Sequence, residues 1–300
     1  MMHYGIPCWM VAAAILLSSC ATRLSSLSDQ SASQVAASYT VHRDVAYGAD
    51  PEQVMDIYLS ESAALYGKPN YTIVFLHGGA YYLSDKAKEE KYIEPYLRKG
   101  LNVVNLNYRL KRGIATATSD LPLALNFLQH QADAYPLELD RVIVTGFSAG
   151  AQIATNVGLS RNDPSYPDRL DEGIKIVGII NFSGPVDQLD VIERIFVDHE
   201  YELFSAAGKS LFPGDGYADP GAVAVYEPVN YFDRRDPPVF LWHGGLDDQI
   251  PPDTFRAFTE KFRAGRDVLR YVPQGKHSPT DKELAAAYAE IFAFLDDLRR

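Results

Sequence analysis

Short apolar runs rich in β-branched residues alternate with longer amphipathic stretches along the chain from Tyr39 onward. Apolar runs of about four to eight residues are typical of buried strands, and apolar positions about three to four residues apart are typical of helices. Regular alternation of the two predicts a mainly parallel sheet of about eight strands with helices on both faces. The predicted strands are Thr40–Ala46, Val54–Leu59, Thr72–Leu76, Asn102–Asn107, Arg141–Thr145, Ile176–Asn181, Val239–His243 and Val268–Val272.

The spacing of these strands also indicates how they pair. Only the turn Gly48–Pro51 separates the first two, which predicts an antiparallel hairpin at one edge of the sheet. No change of composition marks a second core, so we expect residues 39–300 to form one α/β domain. The predicted helices are Lys86–Lys99, Leu121–Ala134, Ala149–Leu159, Pro252–Ala264 and Asp281–Leu298.

One connection is longer than the others. The interval from Gly184 to Asp236 exceeds a simple crossover and is crowded with aromatic residues, so it is too apolar to be disordered. We expect residues 185–230 to form a small cap over the functional site. The alternative is that they extend the outer helical layer.

The first residues have a different character from the body of the chain. Cys8 to Leu17 is an apolar run too short to cross a bilayer, and small residues follow it. This pattern is typical of a secretory leader, which we expect to occupy residues 1–19. Residues 21–38 are rich in Ser, Ala and Gln, which predicts a flexible tether because such a segment has too little apolar surface to fold.

The end of the leader, Leu17-Ser18-Ser19-Cys20, resembles the lipobox of bacterial lipoproteins. The resemblance implies cleavage before Cys20, acylation of that residue and attachment of the protein to a membrane of the bacterial cell envelope. Ala21 and Thr22 follow without an Asp at the second position, which by the same resemblance favours the outer membrane. The alternatives are an uncleaved anchor and a mis-called start codon.

Charge and cysteine content narrow the classes of partner. The formal charge is −11, and the basic residues are scattered instead of forming a patch, which argues against nucleic acid as a partner. Cysteine occurs only at Cys8 and Cys20. The folded body therefore has no disulfide and no thiolate metal site.

A candidate nucleophile follows the fifth predicted strand. Gly146-Phe147-Ser148-Ala149-Gly150 comes directly after an apolar run and before a predicted helix. A sharp strand-to-helix turn flanked by glycines is how a serine is held out as a nucleophile. Because a serine hydroxyl is a weak nucleophile, it needs a base and a group that orients the base.

The acid and the base follow such a serine in the order acid, then histidine. After the seventh predicted strand the only remaining histidine is His277, which precedes the last helix. The acid candidates are Asp247 and Asp248, on the loop that follows that strand, and one of the two is enough. His277 is therefore the predicted base.

Backbone amides complete the candidate site. His77-Gly78-Gly79-Ala80 follows the third predicted strand, where glycines let amides approach a substrate oxygen. Donors from this loop and from the residue after the nucleophile form the oxyanion hole of such sites. The predicted donors are Gly78, Gly79 and Ala149. Tyr81, Tyr82 and Phe147 are predicted to contact substrate. This chemistry needs no metal and no cofactor.

Several motifs occur in an order that resembles the α/β-hydrolase superfamily, within it the carboxylesterases that include hormone-sensitive-lipase-like and feruloyl or acetyl esterases. The resemblance covers Tyr47 to Leu298, and it implies the α/β-hydrolase fold and cleavage of a carboxylic ester. Tyr81, Tyr82 and the aromatic residues of the predicted cap favour a short or aromatic acyl group. In that family the HGxxDxxxP loop carries the acid four residues after the histidine, which is Asp247. The motifs are Met55–Tyr58, His77–Tyr82, Asn107–Leu110, Gly146–Gly150 and Pro237–Gly244.

Two alternative functions stay open. Ala80-Tyr81-Tyr82 and Gly150-Ala151 depart from the usual glycine pattern, and the second pattern resembles arylformamidases. That resemblance implies an amide hydrolase, either arylformamidase-like or a peptidase. The other alternative is a hydrolase fold that serves as a binding module without catalysis.

Overall fold

The computed structural model describes residues 39–61, 70–161, 163–164, 166–214 and 217–299. The predicted leader 1–19, the lipidation site Cys20 and the tether lie outside these ranges. Within them, no helix is both long enough and apolar enough to cross a membrane.

The core of the fold is one eight-stranded sheet with the order β1-β2-β4-β3-β5-β6-β7-β8. The hairpin predicted at one edge is present, since β1 and β2 pair antiparallel. β2 also runs antiparallel to β4, and all the remaining neighbours pair in parallel. The strands are β1 Tyr39–Ala46, β2 Val54–Ser60, β3 Thr72–Leu76, β4 Asn102–Leu106, β5 Val142–Phe147, β6 Ile176–Phe182, β7 Val239–Gly244 and β8 Val268–Val272.

Helices cover both faces of the sheet, as the alternating pattern predicted. The α-helices are α1 Glu94–Arg98, α2 Gly113–His130, α3 Ala149–Ser160, α4 Leu189–Val197, α5 Glu202–Leu211, α6 Pro220–Ala224, α7 Arg256–Thr259 and α8 Asp281–Asp297. Short 3₁₀ helices occupy Lys86–Tyr92, Leu139–Arg141, Pro228–Asn230 and Pro252–Phe255.

The hydrophobic core is divided between the two faces. On one face, Leu125 of α2 and Ile153 of α3 pack against strand residues such as Val144. On the other, Tyr288 and Ile291 of α8 belong to a second apolar cluster. Strands β3, β4 and β5 are buried throughout because helices cover both of their faces.

Three helices differ from the prediction. α2 begins at Gly113, eight residues before Leu121, because Ile114 and Ala117 are buried in the core and packing stabilises the extra turns. The predicted helix from Lys86 divides at a kink, and Pro95 lies in the first turn of its second part. The predicted helix from Pro252 divides into a 3₁₀ turn and α7, which ends at Thr259.

Candidate active site

Ser148 lies on the turn between β5 and α3, at the carboxyl end of a central strand. Its φ of 52° is in the left-handed region that is unfavourable for a residue with a side chain. A Cβ on Gly146 would lie 2.4 Å from the carbonyl carbon of Gly150, and a Cβ on Gly150 would lie 2.2 Å from the Leu76 oxygen. Both flanking glycines are therefore required, because the turn packs directly on backbone.

The structure brings the serine together with the predicted base and one predicted acid. His277 Nε2 lies 2.9 Å from Ser148 Oγ, so the hydroxyl can donate to it. His277 Nδ1 lies 2.8 Å from Asp247 Oδ2 and can donate to that carboxylate. All three residues are buried, which removes most of the competing water.

The loop that follows β7 distinguishes the two acid candidates. Asp247 Oδ1 accepts from the amides of Gln249 at 3.0 Å and Ile250 at 2.9 Å, which leaves Oδ2 for His277. The side chain of Asp248 points to solvent and is exposed. The geometry therefore gives the contact with the base to Asp247, the residue that the family resemblance implied.

Ser183, directly after β6, holds the loop that carries the base. Its hydroxyl donates to the main-chain oxygen of His277 at 2.7 Å, and its own φ is 53°. The acid loop is joined to the same region, because the Leu246 amide donates to the Gly275 oxygen at 2.8 Å. Sequence reasoning missed Ser183, since no motif marks a serine that acts through a distant main-chain oxygen.

Two further histidines lie near the site, and burial lowers the pKa of both. Burial lowers the pKa of His77 to about 4. Its Nδ1 donates to the Gly78 oxygen at 2.7 Å, so this ring supports the loop that follows β3. Burial also lowers the pKa of His243, whose Nε2 donates to the Ile250 oxygen at 2.9 Å. Both rings therefore shape loops and do not serve as bases.

The predicted oxyanion donors differ in what their amides contact. The Gly78 amide donates to Glu89 Oε2 at 3.0 Å, so in this structure it faces a side chain and not the serine. This differs from the expectation for Gly78. Among the described residues, the amides of Gly79, Ala80 and Ala149 have no acceptor. Ala80, which was not among the predicted donors, lines the same cavity as Ser148 and Ala149.

An apolar cavity of about 20 Å³ lies beside Ser148. This volume is little more than one water molecule requires. The long connection supplies much of its wall, so at least this part of the predicted cap region faces the serine. The lining residues from that connection are Pro185, Ile192, Phe196 and Leu211, and the others are Ala80, Tyr81, Ser148, Ala149 and Ile250.

The three residues predicted to contact substrate have different positions. Tyr81 lines the cavity and its hydroxyl donates to Gln152 Oε1 at 3.0 Å. Tyr82 is absent from the lining, and Lys111 Nζ lies 5.1 Å from the centre of its ring. Phe147 packs beside the base, with ring centres of Phe147 and His277 5.1 Å apart. Across the described ranges, no three His, Cys, Asp or Glu side chains cluster in a way that could hold a metal ion.

Comparison with known proteins finds esterases among both sequences and structures. The chain is 25% identical over 246 residues to "Esterase LipC" of Mycobacterium tuberculosis, a match that covers 75% of this chain and 56% of that protein. It is 27% identical over 246 residues to "Isoprenylcysteine alpha-carbonyl methylesterase ICME" of Arabidopsis thaliana, covering 77% of this chain and 55% of that protein. The chain thus spans about half the length of these curated relatives.

The fold is shared with solved esterase structures. Esterase B from Lactobacillus Rhamnosis superposes with a TM-score of 0.67 at 17% identity, covering 94% of this chain and 95% of that one. The predicted α/β-hydrolase fold is thereby confirmed. The sequence model described as BD-FAE matches residues 55–262, which include the nucleophile turn and the acid loop. Since this segment makes up more than half of the chain, the protein belongs to the BD-FAE family.

Proposed function

We propose that this protein hydrolyses carboxylic esters through an acyl-enzyme formed on Ser148. The observation that carries the proposal is the chain of contacts from Ser148 Oγ through His277 to Asp247, at 2.9 and 2.8 Å. Relatives named as esterases support the same reaction class. Hydrolysis of p-nitrophenyl acetate by the wild-type protein, measured against a Ser148→Ala blank, tests it.

In the first step, His277 Nε2 takes the proton of the Ser148 hydroxyl while the oxygen attacks the acyl carbon. Asp247 holds the proton on Nδ1 of the ring, which leaves Nε2 free to act as the base. The carboxylate then stabilises the imidazolium that forms. Two amide donors already fix Asp247, so little reorganisation accompanies the step.

The attack places negative charge on the carbonyl oxygen of the substrate. Amides of Gly79, Ala80 and Ala149 are available to donate to it, and the last belongs to the residue after the nucleophile. His277 then returns its proton to the leaving alcohol. A water molecule, activated by the same base, releases the acid and restores Ser148.

The cavity beside Ser148 supports a small acyl group as the substrate. It has a volume of about 20 Å³ and is lined almost entirely by apolar atoms. An acetyl methyl fits such a space, and we expect a longer or aromatic acyl chain that extends into it to displace lining side chains such as Ile192, Phe196 or Leu211. Because packed side chains resist such displacement, we propose short-chain esters as the substrate class.

Truncation of Ile192 is expected to move the preference toward longer acyl chains. Its side chain is 3% exposed and lines the cavity, whereas that of the adjacent Val191 is 37% exposed. For p-nitrophenyl esters, Ile192→Ala should raise the butyrate-to-acetate ratio of kcat/KM by about tenfold, as expected from room for one or two methylenes. Val191→Ala is the matched control and should leave the ratio unchanged. If the butyrate-to-acetate ratio of kcat/KM stayed unchanged in Ile192→Ala, the acyl group would not bind in this cavity.

The membrane attachment is a separate proposal that rests on the residues at the start of the chain. We propose that Cys20 is acylated and anchors the protein in the bacterial cell envelope, at the outer membrane. Its support is the lipobox-like segment Leu17–Cys20. A fatty-acid analogue should label the wild-type protein and Cys8→Ala, while Cys20→Ala should lose both the label and the membrane fraction. Membrane retention of Cys20→Ala would contradict the proposal.

A further inference from the structure

Glu89 places a half-buried carboxyl group directly against the loop that follows β3. Its Oε2 accepts from the Gly78 amide at 3.0 Å. Burial raises the pKa of this carboxyl to about 7, despite the opposing effect of the Gly78 hydrogen bond. The mechanism above leaves Glu89 without a role. Carboxyl groups with perturbed pKa values are often found at functional sites, so we expect Glu89 to have a role in the loop that it contacts.

Separate hydrogen bonds fix the orientation of each peptide group in this loop. For the His77–Gly78 peptide, the amide contacts Glu89 and the oxygen accepts from the Tyr108 hydroxyl at 2.9 Å. For the Gly78–Gly79 peptide, the oxygen accepts from the His77 ring at 2.7 Å. In a trans peptide the N–H points opposite to the oxygen. The Gly79 amide is thereby turned away from His77 and, among the described residues, has no acceptor.

The short helix Lys86–Tyr92 holds Glu89 from both ends. At its start, Lys86 Nζ lies 2.7 Å from Asp44 and 3.0 Å from Asp56, which attaches it to the β1–β2 hairpin. At its end, the Tyr92 ring stacks on Phe147 with centres 5.2 Å apart. The backbone of Glu89 leaves the helical conformation between these two attachments. The carboxyl group is therefore held in place by contacts on both sides.

From this arrangement we infer that Glu89 is a positioning residue, which fixes the Gly78 peptide so that the amides of Gly79 and Ala80 face the oxyanion. The inference rests on the proposed ester hydrolysis. It also explains why the Gly78 amide itself is not directed at Ser148. The charge of Glu89 interacts with four nearby titratable groups, which are Lys91, His277, Tyr92 and Tyr108.

Three variants test the inference with p-nitrophenyl acetate. Glu89→Ala removes the acceptor, and kcat should fall about 10- to 100-fold with KM nearly unchanged, because a displaced donor loop affects the transition state more than substrate binding. Glu89→Gln keeps an acceptor oxygen and should recover kcat to within about threefold of wild type at pH 6. Glu90→Gln removes the neighbouring exposed charge as a control and should match wild type.

The pH profile separates positioning from a purely structural role. Below pH 6 the wild-type carboxyl is protonated and should perform like Gln. Above pH 8 it is ionised, its bond to the amide is charge-assisted, and its negative charge stabilises the imidazolium that forms on His277 during the reaction. Wild type should therefore exceed Glu89→Gln by about three- to tenfold. The inference would be overturned if Glu89→Ala kept the wild-type kcat, or if Glu89→Gln and Glu89→Ala lost kcat equally. It would also be overturned if the ratio of the wild-type kcat to the Glu89→Gln kcat did not change with pH.

Melting temperatures and a Ser148→Ala blank complete the test. Equal melting temperatures for Glu89→Gln and wild type at pH 6 show that the Gln variant folds and that its kcat can be interpreted. If Ser148→Ala stays active, the proposed hydrolysis itself fails. If Ser148→Ala is inactive while Glu89→Ala keeps the wild-type kcat, only the role of Glu89 fails.

Discussion

Replacement of Ser148 by alanine is expected to lower kcat for p-nitrophenyl acetate by roughly 10⁴-fold or more, with little loss of stability. The expectation follows from the role of the hydroxyl, because no acyl-enzyme forms without it. The remaining site still contains the amides near Ala149 and the base, which can accelerate direct attack by water only slightly. Steady-state kinetics and a thermal unfolding curve measure the two quantities.

A fluorophosphonate probe gives an independent readout of the same residue. It should label the wild-type protein at Ser148 and leave Ser148→Ala unlabelled. Ser210→Ala is a suitable control, because Ser210 lies on α5 and its hydroxyl only donates to the Ala207 oxygen. If Ser148→Ala kept the wild-type turnover, another residue would have to be the nucleophile and the proposed mechanism would be refuted.

Asp247→Asn is expected to lower kcat by about 10⁴-fold through the tautomer of His277. Asp247 Oδ1 accepts from two amides, so an asparagine keeps its oxygen there and turns its NH₂ toward His277 Nδ1. Since that nitrogen must then accept, the ring proton moves to Nε2. The ring can no longer take the proton of Ser148.

Asp248→Asn provides the matched comparison, because it makes the same chemical change at the adjacent exposed position. Its kcat should remain within about twofold of wild type, since a surface charge in water has little effect on a buried site. Parallel pH–rate profiles for both variants complete the experiment. A large loss of kcat in Asp248→Asn together with normal activity in Asp247→Asn would show that the acid is Asp248 and not Asp247.

Strands were the most predictable elements of this fold. β3, for example, was predicted as Thr72–Leu76 and has these bounds in the structure. A short apolar run between polar loops is a local signal, and the parallel order of the sheet follows from the helices between the runs. The start of α2 was predicted at Leu121 and lies at Gly113 in the structure. Buried Ile114 and Ala117 extend it to Gly113, and the sequence does not indicate that they meet a core.

Much of the candidate site was also predictable, for a related reason. The carboxyl ends of parallel strands meet along one edge of the sheet, so loops after β5, β7 and β8 lie close together. Ser148 and His277 could therefore be named from their positions after predicted strands. The choice of Asp247 over Asp248 needed the family resemblance, and the hydrogen bonds of the folded loop agree with it.

Other parts of the site depended on contacts between segments that are distant in the sequence. The Gly78 amide was expected to face the substrate, but Glu89 lies against it. Nothing in the residues around Glu89 marks this contact, since a single acidic residue in a charged stretch usually faces water. The same holds for Ser183, whose hydroxyl reaches the main chain of His277.

The sequence by itself determined the strands, the turn that presents Ser148 and the identity of the base, because each follows from a local run of residues and from its place along the chain. Tertiary structure alone decided which amides are left free for an oxyanion and how small the cavity beside Ser148 is. Both depend on how Glu89 and the side chains of α4 and α5 pack against loops from other parts of the chain. Such packing depends on the distances between surfaces in the folded protein, which a pattern of residue types does not specify.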